Sequence, residues 1–282
     1  MSAIATAPAP WPMPASSSWV FAPRATLAPG RRVIRRLGHG GAHEAFLVDT
    51  GGLPIHAVAK LPRPHLVEDA HCLLGLKNEG RALDQLAHPA LPRHLETLLD
   101  GPHPHLLLEY VPGPTLQDAL ACSMTLDPAT VASVGYAIAH ALDHIAGAGW
   151  VHLDVKPSNI VLNISPRLID FELARPAAEA ASMTKPTGTW AFMAPEQRAP
   201  GGAHTLGPPA DVFALAVSLG EALVGRPLVA PSGRRLADLP GRVGVLLGEA
   251  LATAPGQRPT AAELAAGLAE LAEPVTPATA AA

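Results

Sequence analysis

Between residues 33 and 61 three short apolar or alternating runs, 33–37, 44–49 and 55–61, follow one another with glycine-rich turns between them. Runs of this length and spacing predict consecutive antiparallel strands. Residues 69–87 then carry Leu73, Leu76, Leu83 and Leu86 at a helical spacing. Two further runs, near 95–99 and 105–111, return to strand, and beyond residue 127 helices dominate. Asp127 is placed to cap a helix that begins at Pro128, and Gly147 and Gly149 suit its C-terminal end. A small sheet with one helix, then a larger helical part, predicts an α+β chain of two lobes. A ligand is expected in the cleft such lobes leave.

Composition narrows the function classes. The 282 residues are 48% hydrophobic and 16% charged, which fits one globular domain or two lobes sharing a core and excludes a disordered or collagen-like chain. Twenty basic and 24 acidic residues give a net charge of -4, with no basic run long enough to neutralise a phosphate backbone, so no nucleic-acid partner is expected. Cys72 and Cys122 lie far apart with no CxxC, which argues against a disulfide framework or structural zinc and fits a reducing cytoplasm. The N-terminal MSAIATAPAPWPMPASSS lacks the charged and apolar regions of a signal peptide. The most apolar helical stretch, 212–224, is interrupted by Glu221 and falls short of the ~20 residues that span a bilayer, so no membrane partner is expected. Residues 1–29, rich in proline, alanine and serine, read as an extended tail. Trp11, Trp19, Val20 and Phe21 within it could dock on the parent domain or a partner, but the composition favours a solvated chain. The expected organisation is a tail over 1–29, a folded body over 30–270 with lobes 30–109 and 114–270, and a short tail over 271–282.

The chain has only four lysines and three asparagines, so their positions are informative. Residues 151–159 read VHLDVKPSN and 169–172 read IDFE, gathering Asp154, Lys156, Asn159 and Asp170 into a short apolar span. Here the sequence resembles the protein kinase family, whose catalytic loop H-R-D-x-K-x-x-N is followed by a metal-binding D-F-G. Further motifs extend the resemblance over about 30–270. LGHGGAHEAFLV (37–48) is similar to the glycine-rich loop, AVAK (57–60) to the third-strand lysine motif, and LLLEYVPG (106–113) to the hinge. GTWAFMAPE (188–196) resembles the end of the activation segment and ADVFALA (210–216) the following helix with its structural Asp211, while Arg258 fits the arginine that pairs with the A-P-E glutamate, Glu196.

The resemblance implies a bilobal protein kinase fold, with a small N-terminal antiparallel sheet lobe carrying one helix and a larger, mainly helical C-terminal lobe. It implies ATP with Mg²⁺, or Mn²⁺, as cofactors, and a protein or peptide serine or threonine as acceptor. Gly38, Gly40 and Gly41 would approach the phosphates, and Ala45 and Val58 would cover the adenine. Lys60, held by Glu79, would orient the α and β phosphates, and backbone groups near Glu109 and Val111 would hold the adenine edge. Asn159 and Asp170 would ligate the metal, Asp154 would accept the hydroxyl proton, and Lys156 would stabilise the γ-phosphate. Lys156 together with Thr189 resembles the serine/threonine branch.

Five positions depart from the family pattern. Leu153 replaces the arginine that binds a phosphorylated activation loop, which implies activity without phosphorylation of Ser182, Thr184 or Thr187. Glu172 replaces the D-F-G glycine, either making the metal site more acidic or pointing away from it. His43 stands at the third glycine of the glycine-rich loop. Ala45 and Val58 exchange the sizes the family has there, a volume-conserving swap. Leu153 and Glu172 also motivate one alternative, a nucleotide-binding pseudokinase. A second, a small-molecule kinase of the aminoglycoside phosphotransferase type, shares the Asp154 and Asn159 loop and the metal aspartate, and the A-P-E motif and GTWAF segment speak against it. His140 and His144 have the i, i+4 spacing of helical metal ligands, but without a third ligand nearby they read as surface or packing residues, and His39 and His43 as loop residues. Oligomeric state is left open by the sequence.

Overall fold

The structure, a computed structural model, describes residues 18–22, 24–51, 55–123, 125–228 and 239–272. The chain divides into two compact units, Met1–Leu76 with Glu96–Leu107, and Lys77–Leu95 with Leu108–Ala282.

The first unit is built on a sheet of strands β1 (Thr26–Ala28), β2 (Arg31–His39), β3 (His43–Asp49), β4 (His56–Pro62), β5 (His94–Leu98) and β6 (His105–Glu109), in the order β1-β2-β3-β4-β6-β5. Strands β1 to β4 pair antiparallel in sequence order. In the β3–β4 ladder Glu44 faces Leu61, Ala45 faces Lys60, Phe46 faces Ala59 and Leu47 faces Val58. Because side chains alternate along a strand, Phe46, Val48, Ala57, Ala59 and Leu61 share one face, where all are buried. Ala45, Val58 and Lys60 share the other face and are half-buried.

Residues 18–22 and β1, read from composition as part of an extended tail, are docked on this sheet. The Trp19 amide donates to Glu44 Oε2 and its indole N–H to the Pro62 carbonyl, both at 2.7 Å. Phe21 stacks on Trp19 at 5.7 Å and meets Phe46 edge-on at 5.1 Å. Residues 18–22 hold no proline, and half-buried ring surface with two short hydrogen bonds offsets the entropy of ordering them. Residues 1–17 and 273–282 of the expected tails lie outside the described residues.

Helix α1 (Ala70–Gln85) follows β4, with Leu76, Leu83 and the next residue, Leu86, buried. The second unit contains α2 (Leu116–Ser123), α3 (Pro128–Gly147), two-residue strands β7 (Trp150–Val151), β8 (Ile160–Val161), β9 (Arg167–Leu168) and β10 (Arg175–Pro176), and helices α4 (Ala177–Ala181), α5 (Pro195–Arg198), α6 (Pro209–Val224), α7 (Gly241–Ala250) and α8 (Ala261–Ala269). Helix α3 begins where the sequence predicts: the Asp127 carboxylate accepts the Thr130 N–H at 2.9 Å, and Pro128 occupies the first turn. Every residue of α6 from Ala210 to Leu223 except Glu221 is buried, so this helix forms the centre of the unit. Among the described residues no helix is long and apolar enough to cross a membrane. Neither cysteine is in a disulfide.

Candidate active site

The segment after β7 turns sharply. Leu153 has φ +67°, a left-handed conformation that costs a non-glycine residue about 1–2 kcal/mol. Neighbouring groups hold it there. The buried Asp211 carboxylate, from α6, accepts the N–H groups of His152 and Leu153 at 2.7 and 2.8 Å, and the Gln197 side chain donates to the Leu153 carbonyl at 2.7 Å. Burial pushes the Asp211 carboxyl up to about 7 against the pull of those two N–H groups. His152 is wholly buried, its ring edge-on to Phe171 at 4.7 Å, and burial lowers its pKa to about 4 despite the carboxylates of Asp154 and Asp170. The Leu153 side chain is only 2% exposed and lies in an apolar cluster with Val151, Ala180, Ala194 and Phe213, with Met183 and Phe192 packed on it. Ala180, Met183, Phe192 and Ala194 of the activation segment therefore share an apolar cluster with the residue at the arginine position.

The turn presents Asp154 to three partners. Lys156 Nζ donates to Asp154 Oδ2 at 2.7 Å and to Thr189 Oγ1 at 2.9 Å. Thr189 donates to Asp154 Oδ1 through its hydroxyl at 2.7 Å and its amide at 3.0 Å. The Asn159 amide donates to the Asp154 carbonyl at 2.9 Å. A carboxylate, an ammonium and a hydroxyl thus converge on one point. Beside it opens a cavity of about 590 Å³ whose lining includes Lys156, Ser158, Thr189, Phe192, Gln117 and Glu221.

Asp170, φ +69°, follows a backbone bond from Ile169 N–H to the Asn159 carbonyl at 2.8 Å. That bond keeps the residues around Asp170 and Asn159 in register. Both supply hard oxygen donors, the set Mg²⁺ prefers, and Mg²⁺ completes its shell with water and phosphate oxygens rather than a protein cage. The Asn159 amide nitrogen donates to the Asp154 carbonyl, so its carbonyl oxygen is the atom that could face a metal. Among the described residues no group of three or more His, Cys, Asp or Glu could hold a metal. Glu79 is fully buried and accepts the Phe171 N–H at 3.1 Å, fixing the backbone next to Asp170. The Glu109 side chain is held by Arg167 at 2.9 Å and Arg93 at 3.3 Å, and its N–H donates to the Arg93 carbonyl. Burial raises its carboxyl pKa, but those arginines hold it below the ordinary value. Val111 is buried.

In the first unit the turn between β2 and β3 carries the predicted phosphate loop. Gly40 N–H donates to the His43 carbonyl at 2.8 Å, and the Arg63 guanidinium holds the Gly40 carbonyl at 2.8 Å. Gly38 lies in β2, and Gly40 and Gly41 are in the turn. Ala45, Val58 and Lys60 are brought to one face by the β3–β4 register.

Two clusters carry no motif that would announce them. His43, expected in a loop, begins β3 and is buried, with its Nε2 3.1 Å from Cys72 Sγ. The His88 ring lies 5.2 Å from His140 and 5.1 Å from His144. Burial, together with those two neighbours, lowers the His88 pKa. The i, i+4 spacing gives two of those three histidines, while His88 joins them only through the fold. The predicted pair of Glu196 and Arg258 forms with both side chains fully buried, through two bonds of 2.7 and 2.8 Å. The remaining guanidinium donors reach the carbonyls of Ala252, Thr253 and Pro209.

Comparison with known proteins agrees with this arrangement. The protein kinase domain model matches residues 32–266. The probable serine/threonine-protein kinase PkwA of Thermomonospora curvata is 32% identical over 261 residues, covering 85% of this chain and 34% of that protein. Serine/threonine-protein kinase PknB of Mycolicibacterium smegmatis is 30% identical over 260 residues, 82% of this chain and 41% of that one. The crystal structure of the Mycobacterium tuberculosis PknI kinase domain superposes with a TM-score of 0.67 at 25% identity, covering 90% of this chain and all of that one. The fold is the bilobal protein kinase fold. The chain belongs to the protein kinase domain family, and it spans about a third to two fifths of the length of these curated relatives.

Proposed function

We propose that the chain is an ATP-dependent serine/threonine protein kinase. The convergence of Lys156 and Thr189 on the Asp154 carboxylate, beside an open cavity, carries this reading. A carboxylate so placed can accept the proton of an entering hydroxyl, and Lys156, now held by Asp154 and Thr189, would turn to the γ-phosphate. Asp170 and Asn159 would hold Mg²⁺ or Mn²⁺, which neutralises phosphate charge when bound. Lys60 with Glu79 would orient the α and β phosphates, Gly38, Gly40 and Gly41 would admit them, and the backbone at Glu109 and Val111 would hold the adenine. Ala45 and Val58, on the same face as Lys60, would cover the ring as a size-swapped pair. Ala45→Val and Val58→Ala should each weaken ATP binding more than the double change does, and additive losses would remove the swap.

The finer reading is that activity does not depend on phosphorylation of the activation segment. Leu153 supports it: apolar packing in one cluster with Ala180, Met183, Phe192 and Ala194 would do the seating that an arginine and a phosphate do elsewhere in the family. The absence of a disulfide and of a membrane-spanning helix among the described residues is compatible with a cytoplasmic location. Mass spectrometry of the protein incubated with Mg²⁺, ATP and a generic serine/threonine substrate tests the activity. Phosphate on serine or threonine that disappears in Asp170→Asn is expected, and ATP binding without any transfer, by wild type in the presence of either metal, would refute it.

A further inference from the structure

We propose that residues 18–22 brace the nucleotide-binding wall from behind and that Trp19 is a positioning residue for ATP, an inference that rests on the kinase reading above. Trp19 bonds to both strands of the β3–β4 ladder at once: its amide holds the Glu44 carboxylate on β3 and its indole N–H holds the Pro62 carbonyl on β4, each at 2.7 Å. In the register Glu44 faces Leu61 and His43 faces Pro62, and the next pair is Ala45 with Lys60. The tie therefore falls where the ladder opens into the glycine-rich turn, at the register pair next to that of the predicted phosphate lysine on β3 and two residues beyond that lysine on β4.

Glu44 and Phe46 point to the face opposite Ala45, Val58 and Lys60. On that rear face Phe21 meets Phe46 edge-on, Trp19 stacks on Phe21, and the His103 ring closes on both at 5.0 and 5.5 Å. The rear and front faces belong to the same backbone, so a displacement of residues 44–46 moves the front side chains with it. Glu44 makes the brace consequential. It is 1% exposed, and a carboxylate buried to that degree is tolerated only while donors satisfy it. Its Oε2 accepts the Trp19 amide, and its Oε1 is ion-paired with the Arg36 guanidinium without a hydrogen bond, which makes the Trp19 amide its one hydrogen-bond donor among the described residues. With residue 19 no longer anchored by its ring, the carboxylate loses a donor and is drawn toward water, taking β3 with it.

The test compares wild type, Trp19→Ala and Trp19→Phe at a temperature where all are fully folded by circular dichroism, using steady-state phosphotransfer and amide hydrogen exchange. Trp19→Ala should raise KM for ATP about tenfold with kcat within about twofold, and Trp19→Phe, which keeps the ring stack and loses only the indole bond, should raise it about threefold. Exchange should quicken at residues 43–46 and 59–61 in Trp19→Ala while α3 and α6 are unchanged. A lowered unfolding midpoint with unchanged KM would make Trp19 merely structural and overturn the proposal, as would unchanged exchange at 43–46. If Trp19→Ala does not fold, Trp19→Phe decides alone, an unchanged KM counting against the brace. A wild-type protein that uses no ATP refutes the kinase reading instead, and the exchange data then still decide whether residues 18–22 restrain β3.

Discussion

Replacing Leu153 by alanine separates apolar seating of the activation segment from seating by charge. The side chain is 2% exposed and shares its cluster with Ala180, Ala194 and Phe213. Alanine keeps the strained φ, so the change removes three buried carbons and leaves a cavity without relieving the backbone. Burial this complete places the cost near the middle of the leucine-to-alanine range, about 3 kcal/mol. Urea unfolding measures that loss, and limited proteolysis reports whether residues 177–190 come loose. Phosphotransfer should fall about tenfold or more as Asp154 and Thr189 lose their fixed relation. The companion variant, Ser182, Thr184 and Thr187 all changed to alanine, should stay within about twofold of wild type. Its hydroxyls make only local bonds, Ser182 to the Glu179 carbonyl and Thr187 to the Lys185 carbonyl. A loss below about 1 kcal/mol with full activity in Leu153→Ala, or a folded but inactive triple variant, would refute the reasoning.

Three other outcomes follow from the same site. Gly188→Ala should cost at least about 2 kcal/mol in urea unfolding, because a Cβ there meets the Leu153 carbonyl oxygen and the Gln197 amide at 2.6 Å with φ at +123°; a neutral effect would mean the segment yields freely. Arg258→Met should cost about 3–5 kcal/mol by leaving Glu196 buried without its partner, and adding Glu196→Leu should restore much of it; a double variant no better than the single would show that the carbonyl bonds of Arg258 matter more than its charge. His152 has a folded pKa of about 4 against an ordinary 6.5, so its neutral form is the native one. Its contribution is full above pH 6.5 and is lost as pH falls toward 4, amounting to about 3 kcal/mol. The fall in urea midpoint between pH 7 and 4.5 should be shallower in His152→Gln, and equal slopes would assign the acid loss to other groups.

What the sequence reveals divides along the range of the forces involved. Helix α3 starts where Asp127 and Pro128 predict because capping is settled within four residues. The long strands and α1 are legible from their periods. The pairs β7–β10 and β8–β9, each strand two residues long, carry no period and exist because the fold brings their partners together. Residues 18–22 differ for the same reason: proline and alanine describe the chain locally, whereas docking depends on Glu44 and Pro62, 25 and 43 residues away. Motif spacing brings Asp154, Lys156 and Asn159 close, and Thr189 is flagged by its own motif. The direct bonds from Thr189 to Asp154, across 35 residues, are visible only in three dimensions.

The contact between Asp211 and residues 152 and 153 has a consequence for how such a site can diverge. Its carboxylate grips main-chain N–H groups, which every residue but proline possesses, and ignores the side chains attached to them. The backbone path through 152 and 153 is thereby held without reference to the side chains there, whose packing acts on the neighbouring segment instead. A leucine can enter the arginine position without unseating Asp154, leaving that position open to drift or selection for how the neighbouring segment is governed, while Asp211 itself has no comparable freedom.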